Sequence, residues 1–73
     1  MGERILTNRL KVIREQRKLT QAELAQMAGV SRKTINTIEN SVFVPSTTLA
    51  LTLADVLKLR VEDIFVLESL GKR

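Results

Sequence analysis

The chain has 73 residues, 44% of them apolar, and a net charge of +4, which makes one small domain near the lower size limit for a self-sufficient hydrophobic core. It contains no Cys and no His, which excludes disulfides, zinc clusters and thiol or imidazole catalysis, so neither a metal, a cofactor nor an enzymatic activity is expected. No apolar run approaches the roughly 18 residues of a membrane span, and the opening MGERILTNRL has no apolar signal core, so a cytoplasmic protein without a membrane partner is expected.

Taken in order, the chain first offers a helix with Thr7 or Asn8 as N-cap that runs to about Lys18, with Leu6, Leu10 and Ile13 on a shared face. Arg17 and Lys18 suit its C-terminal end, where the helix dipole favours positive charge, and Leu19 returns the chain to the core. The stretch TQAELAQMAGVSRKTINTIEN, Thr20 to Asn40, then holds two short helical patterns separated by a glycine. Thr20 and Glu23 have the spacing of a capping box, so the second helix begins there, with Leu24, Ala25 and Ala28 on one face. Gly29 supplies the left-handed conformation that stops it. Ser31 is the next N-cap, and at 100° per residue Thr34, Ile35 and Ile38 fall in one arc, with Arg32, Lys33, Asn36, Thr37 and Asn40 in the opposite one.

Two helices joined by a short Gly-containing turn, the second with a polar and basic face, are what a major groove can accept. The ordered motifs TQAELA, AGVS and I-x-x-IEN make this segment similar to the helix-turn-helix of the lambda-repressor-like, or XRE, family. The resemblance implies an all-α, compact five-helix domain over residues 1–73, with the helix-turn-helix formed by helices 2 and 3 over about 20–40. It further implies that Arg14 pairs with Glu39 as a structural tie between helix 1 and the end of the recognition helix, and that Gln21 bonds a phosphate or bridges to the first residue of that helix. Charge placement agrees: residues 1–40 carry eight Lys and Arg against four Glu, whereas residues 41–73 carry four against four. The basic half is the half with the motif, as counterion displacement from phosphates requires.

In the recognition helix, Ser31 to about Asn40, Arg32 and Lys33 in the first turn are the leading base readers, Arg being suited to guanine O6 and N7. Asn36 and Thr37, one turn on, are placed to read adenine or a thymine methyl, or else to bond phosphate or water. Ser31 serves as cap and phosphate donor, and Asn40 as phosphate contact or C-cap.

The loop Ser41 to Pro45 departs from the family, whose members usually continue ENG and often add a Lys. Here Ser41, Val42, Phe43 and Val44 follow, which implies either weaker phosphate contact on that flank or an apolar tip that packs on the domain or a partner. Another helix is expected over about 46–58, capped by Ser46 or Thr47, with Leu49, Ala50, Leu53, Ala54 and Leu57 as its core face. Relatives often close it with Gly, where this chain has Lys58. The last helix, about 61–67, buries Val61, Ile64 and Phe65. Leu51, Val56, Val66, Leu67 and Leu70 then remain unassigned, and a homodimer interface in the C-terminal half is expected to use them.

The pattern indicates a sequence-specific double-stranded-DNA-binding regulator, a repressor acting as a homodimer on a palindromic operator. The alternative is an antitoxin-like or other protein-interaction subunit with secondary DNA binding, to which the apolar loop and spare leucines lend weight.

Overall fold

A computed structural model describes residues 4–69. In chain order the elements are β1 (Arg4–Asn8), α1 (Leu10–Gln16), α2 (Gln21–Ala28), α3 (Arg32–Glu39), α4 (Thr47–Leu57), α5 (Val61–Ile64) and β2 (Phe65–Ser69). No helix among the described residues is long and apolar enough to cross a membrane. The core is aliphatic. Leu10, Leu24, Ile35, Ile38, Leu53, Leu57 and Ile64 are fully buried, one or two from each of the five helices, with Ile13, Ala25, Ala54 and Phe65 beside them.

The fold is not purely α-helical. β1 and β2 pair antiparallel, with Leu6 opposite Leu67 and Asn8 opposite Phe65. Directly opposed residues share a face, so Leu6 and Phe65 pack inward while Ile5 and Val66 are on the other face, both exposed. Leu6 therefore meets the core from a strand, not from helix 1, and Val66 and Leu67 belong to β2, not to the last helix, which ends at Ile64. The physical reason is distance along the chain. Each strand has five residues and its partner lies at the far end of the sequence, so neither leaves a periodic signal long enough to compete with the adjoining helix pattern. Helix 1 is correspondingly shorter than expected, starting at Leu10; the Asn8 side chain still accepts the Leu10 N–H at 3.0 Å, and its amide donates to Ile38 O at 2.9 Å, joining the start of α1 to the end of α3.

Local chemistry sets the other helix starts. The Thr20 hydroxyl accepts from Glu23 N at 3.0 Å and the Glu23 carboxylate accepts from Thr20 N at 2.8 Å, a complete capping box. Ser31 and Ser46 cap α3 and α4 by accepting from Thr34 N and Leu49 N. At α5, Asp63 reaches back to Arg60 N at 2.9 Å, and this hydrogen bond, together with the Arg60 guanidinium, holds its carboxyl below the usual range.

The four longer helices all stop in the same way. A residue in the left-handed region, Lys18, Gly29, Ser41 or Lys58, is followed by an apolar residue whose N–H bonds back five positions: Leu19 to Arg14 O, Val30 to Ala25 O, Val42 to Thr37 O and Leu59 to Ala54 O, at 2.8–3.1 Å. This is the Schellman closure, usually made with Gly because a Cβ is unfavourable at positive φ. Lys58, with φ 61°, thus makes the turn that Gly makes elsewhere. Lys58→Gly is expected to relieve that strain, net of the extra backbone entropy of Gly, by about 0.5–1 kcal/mol and to raise Tm by about 2–8 °C. Thermal unfolding followed by circular dichroism checks it, and an unchanged or lower Tm would show that Lys58 is not strained.

Candidate nucleic-acid interface

The recognition helix is built as an amphipath. Ile35 and Ile38 are fully buried, whereas Arg32, Lys33, Asn36 and Asn40 are exposed and Thr34 and Thr37 are half-buried at the boundary. Its N-terminus is fixed by Ser31, whose hydroxyl also meets the Thr34 hydroxyl at 2.9 Å. Among the described residues, the side chains of Lys33 and Asn36 make no hydrogen bond within the chain, so both are free to engage a ligand. Thr37 differs: its hydroxyl donates back to Thr34 O at 3.0 Å and Lys33 O at 3.1 Å, which leaves oxygen lone pairs and the methyl group for outside contacts. The Asn40 side-chain amide donates to Asn36 O at 2.9 Å, a carbonyl that also accepts from Asn40 N at 3.1 Å.

Behind the exposed face lies a buried polar chain. Arg14 Nε donates to Glu39 Oε2 at 2.6 Å and Nη2 to Oε1 at 3.2 Å, while Nη1 donates to Leu19 O at 2.8 Å. The two side chains are 10% and 1% exposed. The hydrogen bond to Glu39 raises the Arg14 pKa further above its already high value, and the guanidinium stays charged. Glu39 Oε1 also accepts from Gln21 Nε2 at 3.0 Å, and Gln21 Oε1 lies 3.5 Å from Arg32 Nε, at the outer limit of a hydrogen bond. Gln21 therefore bridges the ion pair to the first residue of the recognition helix.

A cleft beside this chain is lined by Arg14, Glu15, Lys18, Leu19, Thr20, Gln21, Ala22 and Arg32. It brings Lys18 and Arg32, neither of which pairs with a carboxylate among the described residues, to the N-terminus of α2 beside Glu15, and there the helix dipole favours an anion. Lys18, expected only as a cation at the C-terminal end of helix 1, also lines this cleft, and its position just before the Thr20 cap was a usable signal. Arg17, expected at the same helix end, has a tie that the amino-acid order does not reveal: it donates to Leu57 O and caps α4 from the end of α1. A second groove, lined by Ser31, Lys33, Thr34, Thr37, Val42 and Phe43, runs between α3 and the loop that follows.

Of the residues expected at a dimer interface, Leu51, Val66 and Leu67 are exposed. Val56 is half-buried and packs against the core; on α4 it sits three positions after Leu53, close enough to the buried stripe to be drawn into it. Leu70 lies outside the described residues.

A family model described as Helix-turn-helix matches residues 10–64, from the start of α1 to the end of α5. The chain belongs to the lambda-repressor-like helix-turn-helix family. This helix-turn-helix protein is similar to an uncharacterised HTH-type transcriptional regulator of Methanocaldococcus jannaschii, 43% identical over 64 residues that cover 88% of this chain and 97% of the relative. It is also similar to the uncharacterised HTH-type transcriptional regulator YgzD of Bacillus subtilis, at 35% identity over 88% of this chain and 97% of that one. Among solved structures, the P22 c2 repressor in complex with a synthetic operator matches with a TM-score of 0.70 and 30% identity, over 73% of this chain and 80% of that chain.

The Arg14–Glu39 pair is the feature whose loss the interface should feel first. Glu39→Ala strands a buried guanidinium and is expected to cost on the order of 3–5 kcal/mol. Arg14→Met with Glu39→Leu leaves no charge behind and is expected to cost less than that single change. Urea unfolding of the single and double variants measures the difference, and a double variant as unstable as Glu39→Ala would show that the stranded charge is not the cause.

Proposed function

We propose that this protein is a sequence-specific, double-stranded-DNA-binding transcriptional regulator that acts in the cytoplasm as a homodimer and represses by occupying a palindromic operator. One observation carries the reading: Arg32, Lys33 and Asn36 are exposed together on α3, whose opposite face is sealed into the core. A short rod with one bare cationic, amide-bearing side suits the major groove, where Arg or Lys reads guanine and Asn reads adenine. The likeness to a repressor solved on an operator, and to relatives named as transcriptional regulators, supports the same reading.

Within it, Arg32, Lys33, Asn36 and Thr37 face the bases. Gln21, Ser31 and Asn40, with Lys18 at the mouth of the cleft, engage phosphates and set the register. Gln21 keeps a second amide hydrogen for this purpose, the other being given to Glu39. Arg14 and Glu39 act from behind by fixing the angle of α3. The dimer would place two copies of α3 about 34 Å apart on successive major grooves, and the exposure of Leu51, Val66 and Leu67, with Ile5 on the outer face of the sheet, supports a contact at that end. The exposed apolar loop Val42–Val44 favours a second reading, an antitoxin-like subunit whose main partner is another protein.

Arg32→Ala and Lys33→Ala, compared on a selected duplex and on random duplex, separate the two. A base reader is expected to lose about 1–3 kcal/mol of discrimination at its base, and equal binding to every sequence before and after substitution would refute sequence reading. Sedimentation at micromolar concentration is expected to show a dimer; a species that stays monomeric after DNA is added rules the dimer out.

A further inference from the structure

The loop that closes α3 breaks a rule the other helix ends obey. Leu19, Val30 and Leu59 each donate the closing hydrogen bond and then pack against the core. Val42 donates the same bond, to Thr37 O at 2.9 Å, yet is 77% exposed, and Phe43 beside it is 47% exposed. The position is fixed, since Phe43 N donates to the same carbonyl at 3.2 Å. What the two side chains border is not an arbitrary patch of surface: they share one groove with Ser31, Lys33, Thr34 and Thr37 of the recognition helix. An apolar wall therefore stands against a cation and three hydroxyls, inside the surface assigned to DNA.

We propose that Val42 and Phe43 form the apolar side of a seat for the C5 methyl group of a thymine presented beside α3, which makes this loop a specificity element. The inference rests on the DNA-binding reading above and deepens it. Thymine is the base that offers a methyl group in the major groove, next to the O4 acceptor that a Lys or hydroxyl donor can meet. The groove supplies both halves of that recognition, the Lys33 ammonium for the oxygen and the Val42–Phe43 wall for the methyl. Ser41 to Pro45 contains no cation, so the loop adds selectivity without adding to the salt dependence that phosphate contacts produce.

The test replaces each thymine in turn by deoxyuridine in the duplex that wild-type protein selects from a random pool, a change that removes only the methyl. Wild-type protein is expected to lose affinity by about fourfold at one position in each half-site, the transfer value of one buried carbon. Phe43→Ala is expected to bind the thymine duplex several-fold more weakly, to show a deoxyuridine penalty below about twofold at that position, and to keep the wild-type salt slope. Val42→Ser replaces it should Phe43→Ala unfold, and the scan with wild-type protein needs no variant. A scan with no penalised thymine, or a penalty that the loop variant leaves intact, overturns the proposal and leaves the loop to a protein partner. A pool that yields no preferred duplex overturns the DNA-reading function itself, a failure distinguishable from an indifferent scan on a duplex that Arg32 and Lys33 still discriminate.

Discussion

The orientation of the recognition helix depends on one buried guanidinium. α2 and α3 share a turn and much of their packing, but a helix pair joined at one end can still roll against the rest of the bundle. Arg14 removes that freedom by spending its donors in different directions: two on Glu39 at the last residue of α3, and one on Leu19 O at the entrance to α2. Asn8 adds a second tie, from the start of α1 to Ile38 O. A buried ion pair adds little net stability because desolvation opposes attraction. Its value here is geometric, since an aliphatic contact in the same place would fix distance but not angle.

The same pair reaches the ligand face through Gln21, which touches Glu39 with one end of its amide and approaches Arg32 with the other. The exposed first residue of α3 is thus biased toward the cleft at the N-terminus of α2, whereas Lys33 and Asn36 are not held by any such contact among the described residues. This face accordingly has a pre-positioned side, where Gln21 steers Arg32 toward the cleft, and an adaptable side, where Lys33 borders the loop groove.

Much of this could be seen in the amino-acid order because its causes are local. The Thr20–Glu23 box, the Ser31 and Ser46 caps and the left-handed Gly29 each act within a few residues, and the division of α3 into buried Ile35 and Ile38 and exposed Arg32, Lys33 and Asn36 follows from its 100° step. What stayed hidden depends on partners distant in sequence or on residues used against type. β1 and β2 exist only because Leu6 and Leu67 meet across the whole chain. Lys18, Ser41 and Lys58 close helices from a conformation that side-chain identity does not announce. The turning of the Thr37 hydroxyl onto its own helix, and the capping of α4 by Arg17, likewise require the assembled backbone.

The terminal sheet also has a bearing on how the chain is made. The hydrogen bond from Thr7 to Val66 spans 59 positions, so β1 leaves the ribosome well before its mate. The helices between them close through contacts much nearer in sequence and form faster for that reason. A folding order in which those local contacts form first leaves Ile5 and Leu6 unpaired until β2 joins them.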